Sequence, residues 1–144
     1  MTWADNMVIL SVDYGDARTG IAVSDRGGFL ASPVEVINGR EPQTVAGAVA
    51  RIAAEREAQL IVMGLPKNMD GTEGFRAAAT REFASLVKEL SGIEVVFYDE
   101  RLTTVSAHRY LNEVNVRGKK RKQTVDAVAA VIILQDYLDS KKGD

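Results

Sequence analysis

Between residues 7 and 37 this chain carries three strand-length apolar runs joined only by short turns. From residue 42 onward the rhythm changes to an alternation of helix-length and strand-length segments. Runs joined by tight turns can pair only as antiparallel neighbours, whereas strands separated by a helix-length crossover are free to run parallel. Residues 7–14 alternate as a strand, with Val8, Leu10, Val12 and Tyr14 on one face. Residues 15–20 read as a turn, 21–24 as a second strand, 25–28 as a second turn and 29–37 as a third strand. An alanine-rich helix follows over 42–57, with Val45, Val49, Ile52 and Ala53 at helical spacing, and then a buried strand over 60–64. A loop leads to a helix over about 73–90, with Phe75, Ala79, Phe83, Leu86, Val87 and Leu90 on its inner side and Gly92 at its end. Residues 93–98 form the fifth strand. Thr103 or Thr104 caps a short helix carrying Ala107, Tyr110, Leu111 and Val114, and Thr124 caps a last helix running to about Ser140. The order βββ-α-β-α-β-α-α predicts an α/β fold. Its mixed five-stranded sheet has three antiparallel strands, then alternating helices and strands, and is flanked by helices. One domain over 1–144 is expected, with 1–6 and 141–144 flexible.

That order offers a way to gather three acids far apart in the chain. Asp13 ends the first apolar strand, Glu100 follows the fifth, and Asp126 opens the apolar stretch of the last helix. A carboxylate beside a core is costly without a partner, and three together repel one another. A divalent cation removes both objections, which makes a magnesium-type site the central expectation. Blander explanations exist for two of the three. Asp126 read as a first-turn residue gains from the helix dipole, and Glu100 can pair with Arg101. Asp16, Asp25 and Asp70 read as turn residues, and Asp99 as facing away from Glu100; none is assigned to the site.

Composition narrows the choice of ion. The chain has no cysteine and one histidine, His108, which excludes thiolate-held zinc, thiol catalysis and histidine-rich metal centres. His108 itself reads as a surface or packing residue. An oxygen-only site favours Mg2+ or Mn2+. No apolar run reaches the roughly 18 residues of a membrane span, and no secretory signal is visible, so a cytoplasmic protein is expected. The formal net charge is −2, yet residues 117–122 read Arg-Gly-Lys-Lys-Arg-Lys, a local basic loop on a mildly acidic chain.

Four blocks of residues together resemble one known family. They are Asp13-Tyr-Gly15 with Arg18 and Gly20; residues 64–71, Gly-Leu-Pro-Lys-Asn-Met-Asp-Gly, with Glu73; residues 99–104, Asp-Glu-Arg-Leu-Thr-Thr; and Lys119-Lys-Arg-Lys122 followed by Val125-Asp-Ala127. In this order and spacing they resemble the bacterial YqgF family of Holliday-junction-resolvase-like and pre-16S ribosomal RNA processing nucleases, within the RNase H-like superfamily. The resemblance runs from about Val8 to Leu138. It implies phosphodiester hydrolysis with Asp13, Glu100 and Asp126 holding two divalent ions, one to activate water and one to neutralise the leaving oxygen. It further implies trimming of pre-16S rRNA ends, with resolution of four-way DNA junctions as the alternative.

Contacts to nucleic acid are expected from Arg18, from Lys67 and Asn68 in the loop before the second helix, from Arg101, and from Lys119, Lys120, Arg121 and Lys122. The expected partners are structured RNA, or branched DNA, and pre-ribosomal particles, with the chain a monomer or weak homodimer. Two other readings stay open. Residues 13–20 also look like the first phosphate loop of the actin and sugar-kinase ATPases, although these close two such domains around ATP. A nucleic-acid-binding factor that does not cleave would carry the same blocks.

Overall fold

The computed structural model describes residues 7–103 and 118–142, with side chains excepted at 102, 103, 118–126 and 142. The elements are β1 (Ile9–Asp13), β2 (Arg18–Ser24), β3 (Ala31–Asn38), α1 (Pro42–Glu55), β4 (Leu60–Leu65), α2 (Phe75–Ser91), β5 (Val95–Asp99), a 3-10 turn (Glu100–Thr103) and α3 (Gly118–Lys142). The strands form one sheet in the order β3-β2-β1-β4-β5. β1, β2 and β3 pair antiparallel, while β4 runs parallel to both β1 and β5. The mixed sheet expected from the turn lengths is the one observed. β1 lies at its centre, so Asp13 ends the middle strand.

Period-two alternation divides the sheet into two faces. Val8, Leu10, Val12, Ile21, Ile61 and Met63 point to one side and pack with α1 and α2 residues Val45, Val49, Ile52, Phe83 and Val87. Ile9, Ala22, Leu60 and Val62 point to the other and pack with α3 residues Ala130, Ile133, Leu134 and Leu138. α1 is set by Pro42 in its first turn and by the Glu41 carboxylate, which accepts from Gln43 N at 3.2 Å.

Three boundaries and one helix face depart from the sequence reading. β2 begins at Arg18, so Arg18, Thr19 and Gly20 are strand residues paired with Asn38, Ile37 and Val36 rather than part of a turn. The turn is compressed because the Arg18 carbonyl folds back onto Gly15, where any Cβ would collide with it. β3 starts late, at Ala31, because the Asp25 carboxylate takes the N–H groups of Phe29 (2.8 Å) and Leu30 (3.2 Å) and leaves both side chains exposed. In α2 the inner stripe is Ala77, Thr80, Phe83, Ala84 and Val87, while Phe75 and Leu90 face solvent. Most consequentially, α3 starts at Gly118 rather than at Thr124. Lys119–Lys122 are therefore helical instead of a loop, in keeping with the good helix propensity of Lys, Arg and Gln. Asp126 then lies beyond the second turn of α3, past the reach of the helix dipole. The short helix expected after Thr103, and His108 on it, lie outside the described residues.

Candidate active site

Asp13 stands opposite Gly20 of β2 in the antiparallel register. On its other side, β1 and β4 pair as far as Val12 with Met63, so the next residue along β4 is Gly64. Asp13 continues the face of Ile9 and Ser11, which looks toward α3. The central carboxylate thus rises between two residues that have no side chain. On a sheet face, such glycines allow close approach to the backbone on both sides of the acid, and both are buried.

Gly64 is where the second acid enters. A Cβ at this position would stand 2.7 Å from Cδ1 of Ile133 on α3 and 3.6 Å from Cδ of Glu100. The Glu100 carboxyl group therefore lies over the end of β4, on the same face as Asp13 and one strand away, a spacing of about 4.8 Å between strands. Gly64 is buried in a strand that is otherwise fully apolar. Any side chain there would occupy the space in which Glu100 and Ile133 meet.

The third acid reaches this end of the sheet on α3. Ser11 Oγ donates to the Ala130 carbonyl at 2.7 Å, a buried bond that fixes the helix over β1. Asp126 lies on α3 four residues before Ala130, one turn nearer the helix N-terminus. Its side chain is outside the described residues, and so are those of Lys119, Lys120, Arg121 and Lys122. Among the described residues no three acidic or histidine side chains form a cluster. What the structure brings together is Asp13 and Glu100, with the backbone of Asp126 one turn from the residue that anchors the helix.

The remaining contact residues divide in two. Arg18 opens β2 at the same sheet end, on the strand beside Asp13. Lys67, Asn68 and Arg101 belong to one locked unit. The Arg101 guanidinium meets Asp99 through Nε at 3.0 Å and Nη2 at 2.6 Å, while its Nη1 donates to the carbonyls of Asn68 (3.4 Å) and Met69 (3.3 Å). That ion pair holds the Asp99 carboxyl below the usual carboxylate range. Arg101, expected to touch nucleic acid, is engaged in tying the β4–α2 loop to the turn that carries Glu100. Asp70 closes the same loop by accepting from Thr72 N (3.0 Å) and Oγ1 (2.6 Å), and these bonds lower its pKa.

Sequence reasoning misses Gly64 as the residue that makes room for Glu100, and Ser11 as the anchor of α3. A glycine near the end of a fully apolar strand is itself a signal of close approach. The serine, in a strand whose neighbours are Ile9, Leu10 and Val12, carries no comparable signal.

Several known proteins share this framework. A family model described as RuvX, Holliday junction resolvase, matches residues 7–140. A protein named "Putative pre-16S rRNA nuclease" from Leuconostoc mesenteroides is 46% identical over 138 residues, covering 94% of this chain and 96% of that protein. One of the same name from Acetivibrio thermocellus is 44% identical over 137 residues, covering 94% and 97%. Among solved structures, T. thermophilus RuvC in complex with a Holliday junction substrate superposes with a TM-score of 0.63 at 12% identity, covering 95% of this chain and 96% of that one. The fowlpox virus resolvase bound to junction DNA gives 0.59 at 13% identity, covering 93% and 98%. At such identities the last two speak for the RNase H-like fold alone.

Proposed function

The chain belongs to the RuvX family, and we propose that it is a divalent-metal-dependent nuclease that hydrolyses phosphodiester bonds at the ends of pre-16S rRNA. The observation that carries this reading is the pair of carboxylates, Asp13 and Glu100, on one sheet face beside Gly20 and Gly64, which put no side chain of their own between them. The curated relatives named for pre-16S rRNA support the choice of substrate. The family description supports a second reading, cleavage of four-way DNA junctions.

The residues fit a hard cation. The donors are all oxygens, and the lack of a Cβ at Gly64 lets the Glu100 carboxyl group come close over the end of β4 beside Ile133. Asp13, Glu100 and Asp126 would hold Mg2+ or Mn2+, which when bound supplies water activation and charge neutralisation at the leaving oxygen. Asp13 offers a short, rigid donor on the central strand. Glu100 reaches in from the neighbouring turn, held there by Arg101 and Asp99. Lys67, Arg18 and the basic first turns of α3 would hold the phosphates on either side and keep the strand in register.

The test is cleavage of a labelled small-subunit rRNA precursor end and of a four-way junction, with and without magnesium. Asp13→Asn and Asp126→Asn are both expected to abolish cleavage while the protein stays folded. Full activity in Asp126→Asn would remove that residue from the site. Paired symmetric cuts in the junction with the RNA untouched would favour the second reading, and binding without cleavage of either would leave a binding factor. Neutralising Lys119, Lys120, Arg121 and Lys122 together is expected to flatten the salt dependence of binding by about 0.7–0.9 for each phosphate that α3 no longer neutralises. An unchanged slope would show that this part of α3 does not meet the backbone.

A further inference from the structure

Among the described residues, two of the most exposed apolar side chains stand on the locked loop after β4 and at the first position of α2. Met69 is 92% exposed and Phe75 is 87% exposed. A large apolar side chain in water gains nothing for the fold, and a pair on a rigid support is a binding surface in waiting.

The support is rigid by its hydrogen bonds. Asn68 N donates to the Thr72 carbonyl at 2.8 Å and Gly71 N to the Asn68 carbonyl at 2.9 Å. Asn68 Nδ2 bonds Thr72 Oγ1 at 3.0 Å. The Asn68 amide also lies against Gly74, where a Cβ would be 3.5 Å from Nδ2. Residues 68 and 74 thus close the mouth of the loop, and Met69 and Phe75 are the next residue after each. Arg101 fixes the Met69 carbonyl directly, and Arg101 follows Glu100 in sequence. The backbone of Met69 is therefore held in fixed relation to the turn that carries a candidate catalytic acid, and Phe75 follows the same loop at the start of α2.

The surroundings select the occupant. Lys67 precedes the pair in the chain, and Arg76 follows Phe75 on α2. An aromatic ring and a flexible thioether between two cations suit a nucleotide, whose base stacks on the ring while the adjoining phosphates meet the charges. A base inside a continuous duplex cannot offer its face to such a ring.

We propose that Met69 and Phe75 form a stacking platform for an unpaired base next to the phosphate held at Asp13 and Glu100. The substrate is then single-stranded, or splayed open, at the point of cleavage. The inference rests on the nuclease reading only for where the base lies.

The experiment measures binding, without metal, of the full chain carrying Asp13→Asn to a fluorescein-labelled single-stranded RNA and to its blunt duplex, at several salt concentrations. Adding Met69→Ser and Phe75→Ser is expected to weaken single-strand binding about tenfold, with duplex binding and the salt slope unchanged. Phe75→Trp is expected to keep the affinity and Phe75→Leu to lose part of it, since Leu keeps apolar area but lacks a planar face. Both positions are exposed, so unchanged circular dichroism is expected of every variant. Equal losses on both probes, no loss, or a loss with a flatter salt slope would overturn the platform. So would intact RNA affinity accompanied by loss of self-association in sedimentation, which would make the patch a contact between copies of the chain. A protein that passes this test but never cleaves sinks only the nuclease reading, and one that cleaves normally without Met69 and Phe75 sinks only the platform.

Discussion

The two faces of the sheet are built to different specifications. Toward α1 and α2, strand positions carry Leu10, Val12, Ile21, Ile61 and Met63, and Tyr14 at the end of β1 stacks on Phe83 with ring centroids 3.9 Å apart. Toward α3, Ile9, Leu60 and Val62 share the face with Ser11, Gly20, Ala22 and Gly64, and the helix is joined to β1 by the hydrogen bond from Ser11 to Ala130. One face fills its volume with side chains and holds the fold. The other keeps side chains small where the sheet approaches Asp13 and Glu100, so that α3 comes close without covering them. The difference separates what stabilises the molecule from what gives it chemistry, although both use the same five strands.

Removing the largest fully buried side chain among the described residues should break the comparison most sharply if it is mistaken. Phe83 is 1% exposed, and Phe83→Ala is expected to cost about 3–5 kcal/mol in urea unfolding, from reduced burial and the cavity left behind. Ser11→Ala on the other face should cost about 1 kcal/mol, the net worth of one hydrogen bond. Comparable losses from the two variants would mean that the α3 face carries as much of the stability as its opposite.

Gly64→Val comes next and reverses the pattern. The first added carbon already presses on Ile133 and reaches Glu100, so the branched methyl groups must displace one of them. Cleavage is expected to fall by about a hundredfold, as for a displacement of roughly 1 Å at a reacting group. The stability cost should stay near 1–3 kcal/mol, typical of overpacking. A Gly64→Val protein that cleaves like the parent would show that Gly64 serves helix packing alone.

How far this division can be read from sequence depends on which signal each face emits. The α1 and α2 face emits strong ones: alternation in β1 and helical spacing in α1 place Val8, Leu10, Val12, Val45, Val49 and Ile52 correctly. Asp13 and Glu100 are legible because acids at the ends of apolar strands lack a structural reason. Arg18 reads wrongly as a turn residue because glycines at 15 and 20 look like turn residues, whereas Gly20 is a strand residue that makes room beside Asp13. The start of α3 reads too late because Thr124 offers a good cap, a local signal overridden by the helix-forming run before it. Arg101 shows the remaining gap. Its charge suggests a phosphate contact, and only the folded chain reveals the partners, Asp99 and two loop carbonyls, that occupy it.

The smallest expected effect lies on α3 itself, at Asp136, a carboxylate whose charge is opposed by burial. Burial, and then the neighbouring Asp139, raise the Asp136 pKa above its ordinary value, and Asp136 in turn helps to raise that of Tyr98. A carboxyl whose folded pKa lies above its unfolded one favours the folded state while protonated. That contribution is fully present below the unfolded pKa and is lost as pH rises through the folded value. At neutral pH the folded chain therefore carries an ionised group that it would rather keep neutral. Asp136→Asn should raise the thermal midpoint at neutral pH by roughly 1–2 °C, a fraction of a kcal/mol for a chain of this size. The gain should vanish as pH falls through the carboxylate range. A gain that persists unchanged in acid would trace to packing or helix propensity instead, and no gain at neutral pH would mean that water already screens this end of the α3 face.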